Sequence, residues 1–159
     1  MIKVSQNGSL LYSTFIGGEN TDNFWSISIS SINNIFIAGS TLSNNLSSPN
    51  IKNNLKSEDS IIIMFSPEGN LLQSLYYGGS RYDEARCILT DKDNDVTIVG
   101  YTSSSDFPVN NGYQVNNSGL YDMFITKIDS TYFNQNSLTQ NSLQNISSRN
   151  IKPIEQNSF

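Results

Sequence analysis

The residues whose spacing suggests chemistry are acidic. Asp91-Lys92-Asp93-Asn94-Asp95 sets carboxylates at alternate positions, as the first half of a calcium loop does. Four further aspartates, Asp22, Asp59, Asp83 and Asp122, recur at matched distances before apolar runs, and paired carboxylates are what glycoside cleavage uses. Both readings are incomplete. A calcium loop needs Gly at its sixth position and a bidentate Glu at its twelfth, where this chain has Val96 and Thr102. A hairpin turn with solvated acids accounts for Asp91, Asp93 and Asp95 better, which leaves Ca2+ the minority reading and no metal or cofactor the expectation. Repetition argues against catalysis, because a catalytic pair is needed once, whereas a carboxylate tying a loop to backbone N–H groups is needed in every copy. The pairs Gly17-Gly18 and Gly78-Gly79 have no following Lys-Ser/Thr, so they read as turns out of edge strands instead of phosphate loops. With no His and one Cys, the chain cannot form a Ser/His triad, a His-ligated zinc site or an internal disulfide. Cys87 reads as a small buried hydrophobe.

The composition narrows partners and fold. Nine basic residues against 14 acidic ones, for a net charge of -5, argue against a binder of phosphate backbones, so no nucleic acid is expected. The 26 Ser and 22 Asn favour turns over helices, while 18 Ile, 8 Tyr and 8 Phe fall in short strand-like clusters. An all-β chain follows. No apolar run approaches the roughly 18 residues of a membrane span, and Met1 to Leu10 carries no visible secretory signal.

The elements that position these residues come from an internal repeat. Leu10 to Gly18 (LLYSTFIGG) returns as Leu71 to Gly79 (LLQSLYYGG), a shift of 61 residues. At that shift, Gly8 to Ser43 and Gly69 to Ser104 share 13 identities in 36 positions, including Gly39 with Gly100 and Asp22 with Asp83. After a two-residue length difference, Ser57 to Asn70 resembles Leu120 to Ser130, and Met1 to Gly8 looks like the end of a preceding copy. Apolar runs separated by turn residues predict strands near 10–16, 24–30, 34–40, 59–66, 71–77, 85–91, 95–102 and 122–129, after a fragment near 2–5. Asn and Gly at the connections predict antiparallel hairpins. Ile61 to Phe65 is apolar at consecutive positions, which predicts sheets covered on both faces. Residues 1–131 therefore read as one repeat region, with copies at about 10–70 and 71–131, and the Asn/Ser/Gln-rich stretch 132–159 as a disordered tail.

These motifs resemble the SBBP repeats, named for a seven-bladed β-propeller. The resemblance covers about residues 1–131 and rests on Tyr12, Ser13, Gly17, Gly18 and Asp22 in one copy. In the second it rests on Ser74, Gly78, Gly79, Asp83, Asp91, Gly100, Tyr101, Thr102, Ser105, Asp106, Phe107, Pro108, Asp122 and Phe124. It departs at Asn45, Leu46 and Ser47, which stand where the second copy has Asp106, Phe107 and Pro108, and this predicts a less ordered first loop. The resemblance implies four-stranded antiparallel blades in an incomplete propeller, a bacterial surface or secreted protein, and no established enzyme activity. By analogy with other propellers, residues 1–16 form two outer strands, 24–77 a whole blade, and 85–129 a blade without its outer strand. The expected partners are further blades in cis or other copies in trans, with a protein or glycan ligand at the loops, where Tyr113 and Tyr121 are the candidate contacts. The expectation is thus a non-enzymatic structural or interaction scaffold. The alternative is a piece of a propeller glycosidase or lyase whose catalytic residues lie in other blades.

Overall fold

A computed structural model describes residues 1–46, 57–133 and 151–152. The chain is all-β, in three antiparallel sheets. A hairpin pairs β1 (Ile2–Val4) with β2 (Leu10–Ser13). The middle sheet runs β3 (Asp22–Ile29), β4 (Ile35–Thr41), β5 (Asp59–Phe65) and β6 (Leu71–Tyr77) in chain order. The last sheet holds β7 (Asp83–Thr90), β8 (Val96–Thr102) and β9 (Asp122–Ile128), with the single helical turn α1 (Ser130–Phe133) after them. At its edge the two-residue β10 (Ile151–Lys152) pairs with β9, Ile151 opposite Ile128.

The turns explain the hairpins. Each of the four tight connections has five residues between the strands, closed by hydrogen bonds such as Ser30 N–H to Asn34 O and Asn33 N–H to Ser30 O, both 2.9 Å. The residue two positions before the second strand is left-handed in every one: Gly8 (φ 82), Asn33 (φ 64), Gly69 (φ 92) and Asn94 (φ 63). Asn and Gly tolerate that conformation, and it matches the twist of the flanking strands.

Strand alternation then builds the layers. In β5, Ile61, Ile63 and Phe65 join Ile35, Ile37 and Leu46 on one face, against Met1, Tyr12 and Ile16 of the amino-terminal segment. Ile62 and Met64 point the other way, with Phe36, Ala38, Leu75 and Tyr77, into a core closed by Ala85, Ile88, Val96, Ile98 and Phe124 of the last sheet. The consecutive apolar run in β5 exists because both faces are covered. Polar stitches cross the same seam. Ser28 Oγ accepts the Thr90 N–H at 3.0 Å, and the Asp83 N–H donates to Glu58 O at 2.9 Å.

Three expectations need correction. Residues 132 and 133 belong to the core and not to a tail. Asp129 Oδ1 accepts the Thr131 N–H at 2.8 Å and so starts α1, which buries Tyr132 and Phe133, the latter edge-on to Phe36 at 5.1 Å. The last sheet does not lack a fourth strand, since β10 occupies that edge; residues 134–150 and 153–159 lie outside the described part. Cys87 is exposed, because a bulge between Ala85 and Cys87 shifts the alternation of β7 and turns its side chain outward. Among the described residues, no helix is long and apolar enough to cross a membrane.

Candidate interaction surface

The repeated aspartates build a polar clasp at the end of the sheets where β3 and β7 begin. Asp22 Oδ2 accepts the Gly18 N–H at 2.7 Å and the Ser43 hydroxyl at 3.1 Å, and its Oδ1 accepts the Thr41 hydroxyl. Asp83 Oδ2 accepts the Gly79 N–H at 2.6 Å and the Ser104 hydroxyl at 2.8 Å. Ser43 Oγ and Ser104 Oγ in turn accept the N–H groups of Asn20 and Arg81, at 2.8 and 2.9 Å. Asp106 Oδ1 completes the second clasp on the Ser80 N–H at 2.8 Å, an interaction that holds its carboxyl below the ordinary carboxylate range. Asn45 Oδ1 does the same for the Glu19 N–H at 3.0 Å. The departure at Asn45 therefore preserves the geometry with a neutral acceptor, and the buried Leu46 stands where the second copy has Phe107. Residues 47–56 lie outside the described residues.

The Gly-Gly pairs serve this clasp and are not left-handed turns, since none of the four has positive φ. A Cβ at Gly18 would lie 2.3 Å from Asn45 Oδ1, and one at Gly79 would lie 2.5 Å from Asp106 Oδ1. Gly39 and Gly100 answer another close approach, with a Cβ falling 1.8 Å from Asn23 O and 2.0 Å from Glu84 O across the bulged strand pairs.

One seam carries charge without full compensation. Asp59 and Asp83 flank Gly78, and each has a buried oxygen that accepts no hydrogen bond among the described residues. Burial first, then the negative charges of Asp83 and Asp106, push the Asp59 carboxyl up to about 7. Burial also raises Asp83, against the pull of Thr102, Gly79 and Ser104. At the matched position in the last sheet, Asp122 Oδ2 accepts the Ser118 N–H at 2.6 Å and the Gln114 side-chain amide at 2.8 Å.

The calcium-like run forms the β7–β8 turn. Asp91 Oδ1 accepts the N–H groups of Asp93 and Asp95 at 2.9 and 3.0 Å. Lys127 Nζ lies 2.7 Å from Asp91 Oδ2 and 3.4 Å from Asp95 Oδ2, and Asp93 pairs with Lys92 at 2.8 Å. The ammonium of Lys127 thus sits between two of the carboxylates that would otherwise face a cation. Among the described residues, no group of three or more His, Cys, Asp or Glu side chains is placed to hold a metal ion.

The long loop 103–121 joins β8 to β9. Phe107 anchors it, edge-on to Tyr77 at 5.1 Å and tilted against Phe124 at 4.6 Å, and the Tyr77 hydroxyl donates to Pro108 O at 2.7 Å. Burial raises that phenol to about 12, so it remains a donor across the physiological range. Between the loop and β9 lies a cleft of about 660 Å³ lined by Phe107, Phe124, Thr126, Val109 and Gln114, a volume usual for small-molecule sites. Tyr113 stands on its rim and is fully exposed, at 101%. Tyr121 is not on the cleft; its ring meets Tyr82 and Tyr101 edge-on at 6.2 and 5.9 Å. Sequence reasoning missed the serines Ser43 and Ser104, although their identity at the 61-residue shift was the available signal. It also missed Glu84 and Arg86, which differ between copies and so left no repeat signal. In comparison with known proteins, no family model and no curated protein matches the chain.

Proposed function

We propose that this chain is a non-enzymatic repeat scaffold of the β-propeller type, whose sheets stack on further sheets of the same kind, in cis or in trans. Its 103–121 loop meets a protein or glycan ligand. The resemblance to the SBBP repeats adds a bacterial cell-surface or secreted setting to this reading. Supporting it, the repeated acids Asp22 and Asp83, and Asp106 beside them, are engaged in holding turns. The observation that carries it is a difference in burial between equivalent positions. Ile62, in the middle sheet, is fully buried by the sheet that follows; its counterpart Ile125 in the last sheet is 51% exposed. Ser60 and Met123, at the next matched position, show 0% and 74%. Leu89 of β7 lies exposed as well, so the far side of the last sheet presents apolar side chains to solvent, where the preceding copy is covered at Ile62 and Ser60.

The solution mass of the purified chain tests this. Association above the 17.7 kDa monomer is expected, with Met123→Glu and Ile125→Glu together returning the chain to a monomer of unchanged β-sheet content. A wild-type chain that stays monomeric at high concentration, with its apolar face in water, would sink the reading.

A further inference from the structure

The two copies agree wherever the fold needs them to and diverge together at one place. In the middle sheet, Asn23 and the Ser40 hydroxyl donate to Glu58 Oε1, a small polar cluster. The same three positions of the last sheet hold Glu84, Tyr101 and Tyr121. Beside them, the bulges of β3 and β7 fall at Trp25 and Arg86, also equivalent positions, and a bulge re-aims the side chain it carries.

The cluster so formed is rigid and electrically closed. Glu84 is 1% exposed; its Oε2 accepts the Tyr82 and Tyr101 hydroxyls, and its Oε1 lies 2.9 Å from Arg86 Nε. The Arg86 guanidinium lies 4.3 Å from the Trp25 ring centroid and 5.3 Å from that of Tyr101, and its Nη2 donates to the Tyr101 hydroxyl at 2.7 Å. Tyr82 and Tyr101 stack at 6.0 Å. Burial and the Glu84 hydrogen bond hold the Tyr82 phenol above its ordinary value, so it stays a neutral donor. Around this fixed centre, Trp25 is 50% exposed, Tyr121 60%, and the Arg86 side chain 46%.

We propose that Trp25, Arg86 and Tyr121 form a binding site for a neutral saccharide. The charges select that class. A cationic ligand would meet a guanidinium already seated over the indole, and an anionic one would meet a guanidinium already neutralised by Glu84, on a chain of net charge -5. A pyranose ring offers an apolar C–H face to Trp25 or Tyr121 and hydroxyls to the exposed guanidinium. Tyr121 packs edge-on against Tyr82 and Tyr101, which Glu84 holds, and a ring so backed loses little freedom on binding, which favours affinity. The site lies away from the loop cleft and goes beyond the stacking proposal.

Trp25 is the chain's single tryptophan, so its fluorescence reports the site directly. Titration of the full chain with neutral gluco-, manno- and chito-oligosaccharides is expected to give a saturable emission change with at least one series, and none with an oligogalacturonide. Tyr121→Ala and Arg86→Ala are each expected to weaken it by about tenfold, the scale of one aromatic or cation–π contact. Tyr113→Ala, on the cleft rim, is expected to leave it unchanged. Should Arg86→Ala unfold the chain, Tyr121→Ala alone decides, because that ring is mostly in solvent. No saturable response to any neutral series, or undiminished binding in Tyr121→Ala, overturns the proposal. So does protein binding at this patch without a saccharide response. The readout does not depend on assembly, so a monomer that binds sugar refutes only the stacking reading.

Discussion

Asp59 shows how a polar residue can be visible in the sequence while its electrostatics are not. Its recurrence with Asp122 marks a structural carboxylate, yet Asp122 is satisfied by its own loop and Asp59 lies beside Asp83 at a buried seam. The folded-state value of about 7 lies above the ordinary 3.8, so the ionised form disfavours the fold. The stabilisation is complete below the unfolded value and declines as pH rises, until it is lost past the folded one. Thermal melts from pH 4 to pH 8 should therefore show the midpoint falling across this window, with Asp59→Asn flatter and the more stable protein at pH 8. An Asp59→Asn chain that follows the wild-type slope would count against the coupling. Glycines give a second test at this scale. A Cβ at Gly100 would lie 2.0 Å from Glu84 O, whereas one at Gly119 meets nothing within 4 Å. Gly100→Ala should lose about 1–3 kcal/mol or more in urea unfolding, and Gly119→Ala should stay within about 0.5 kcal/mol.

Strands and hairpins were legible because their determinants are local. Period-two alternation, β-branched residues and the Asn or Gly that precedes a second strand need only a few neighbours, and the observed strands begin and end within about three residues of the expected ones. The bulges at Trp25 and Arg86 were not legible, since each depends on a partner strand whose close approach Gly39 or Gly100 permits. That is why Cys87 was placed inside and is found outside. The short helix was missed because Tyr132 and Phe133 adjoin a polar stretch, and only the pocket around Phe36 makes them core. Equivalent positions in the two sheets should accordingly differ in cost. Ile62→Ala, in the closed core, is expected to destabilise by about 2–5 kcal/mol, while Ile125→Ala, on the open face, should cost under about 1 kcal/mol. Equal shifts in the denaturation midpoint would mean that the last sheet's outer face is already covered in solution.

For the whole molecule, the 61-residue repeat establishes a unit that cannot cover both of its own faces, and the layered cores on either side of β4 and β5 are the physical expression of that. The solution mass and the saccharide response both report what the uncovered surfaces meet. The order of strands β1 to β9, the hairpin turns and the sites of the clasp aspartates were determined by the sequence itself, through steric preference and the recurrence of the same residues in both copies. Tertiary structure decided which member of each equivalent pair is buried, and which carboxylate lacks a partner. It also decided that Glu84, Arg86 and Trp25 come together. Burial and electrostatic environment are set by what packs against a residue from another sheet, and two matching repeats carry the same local code whether or not a neighbour covers them.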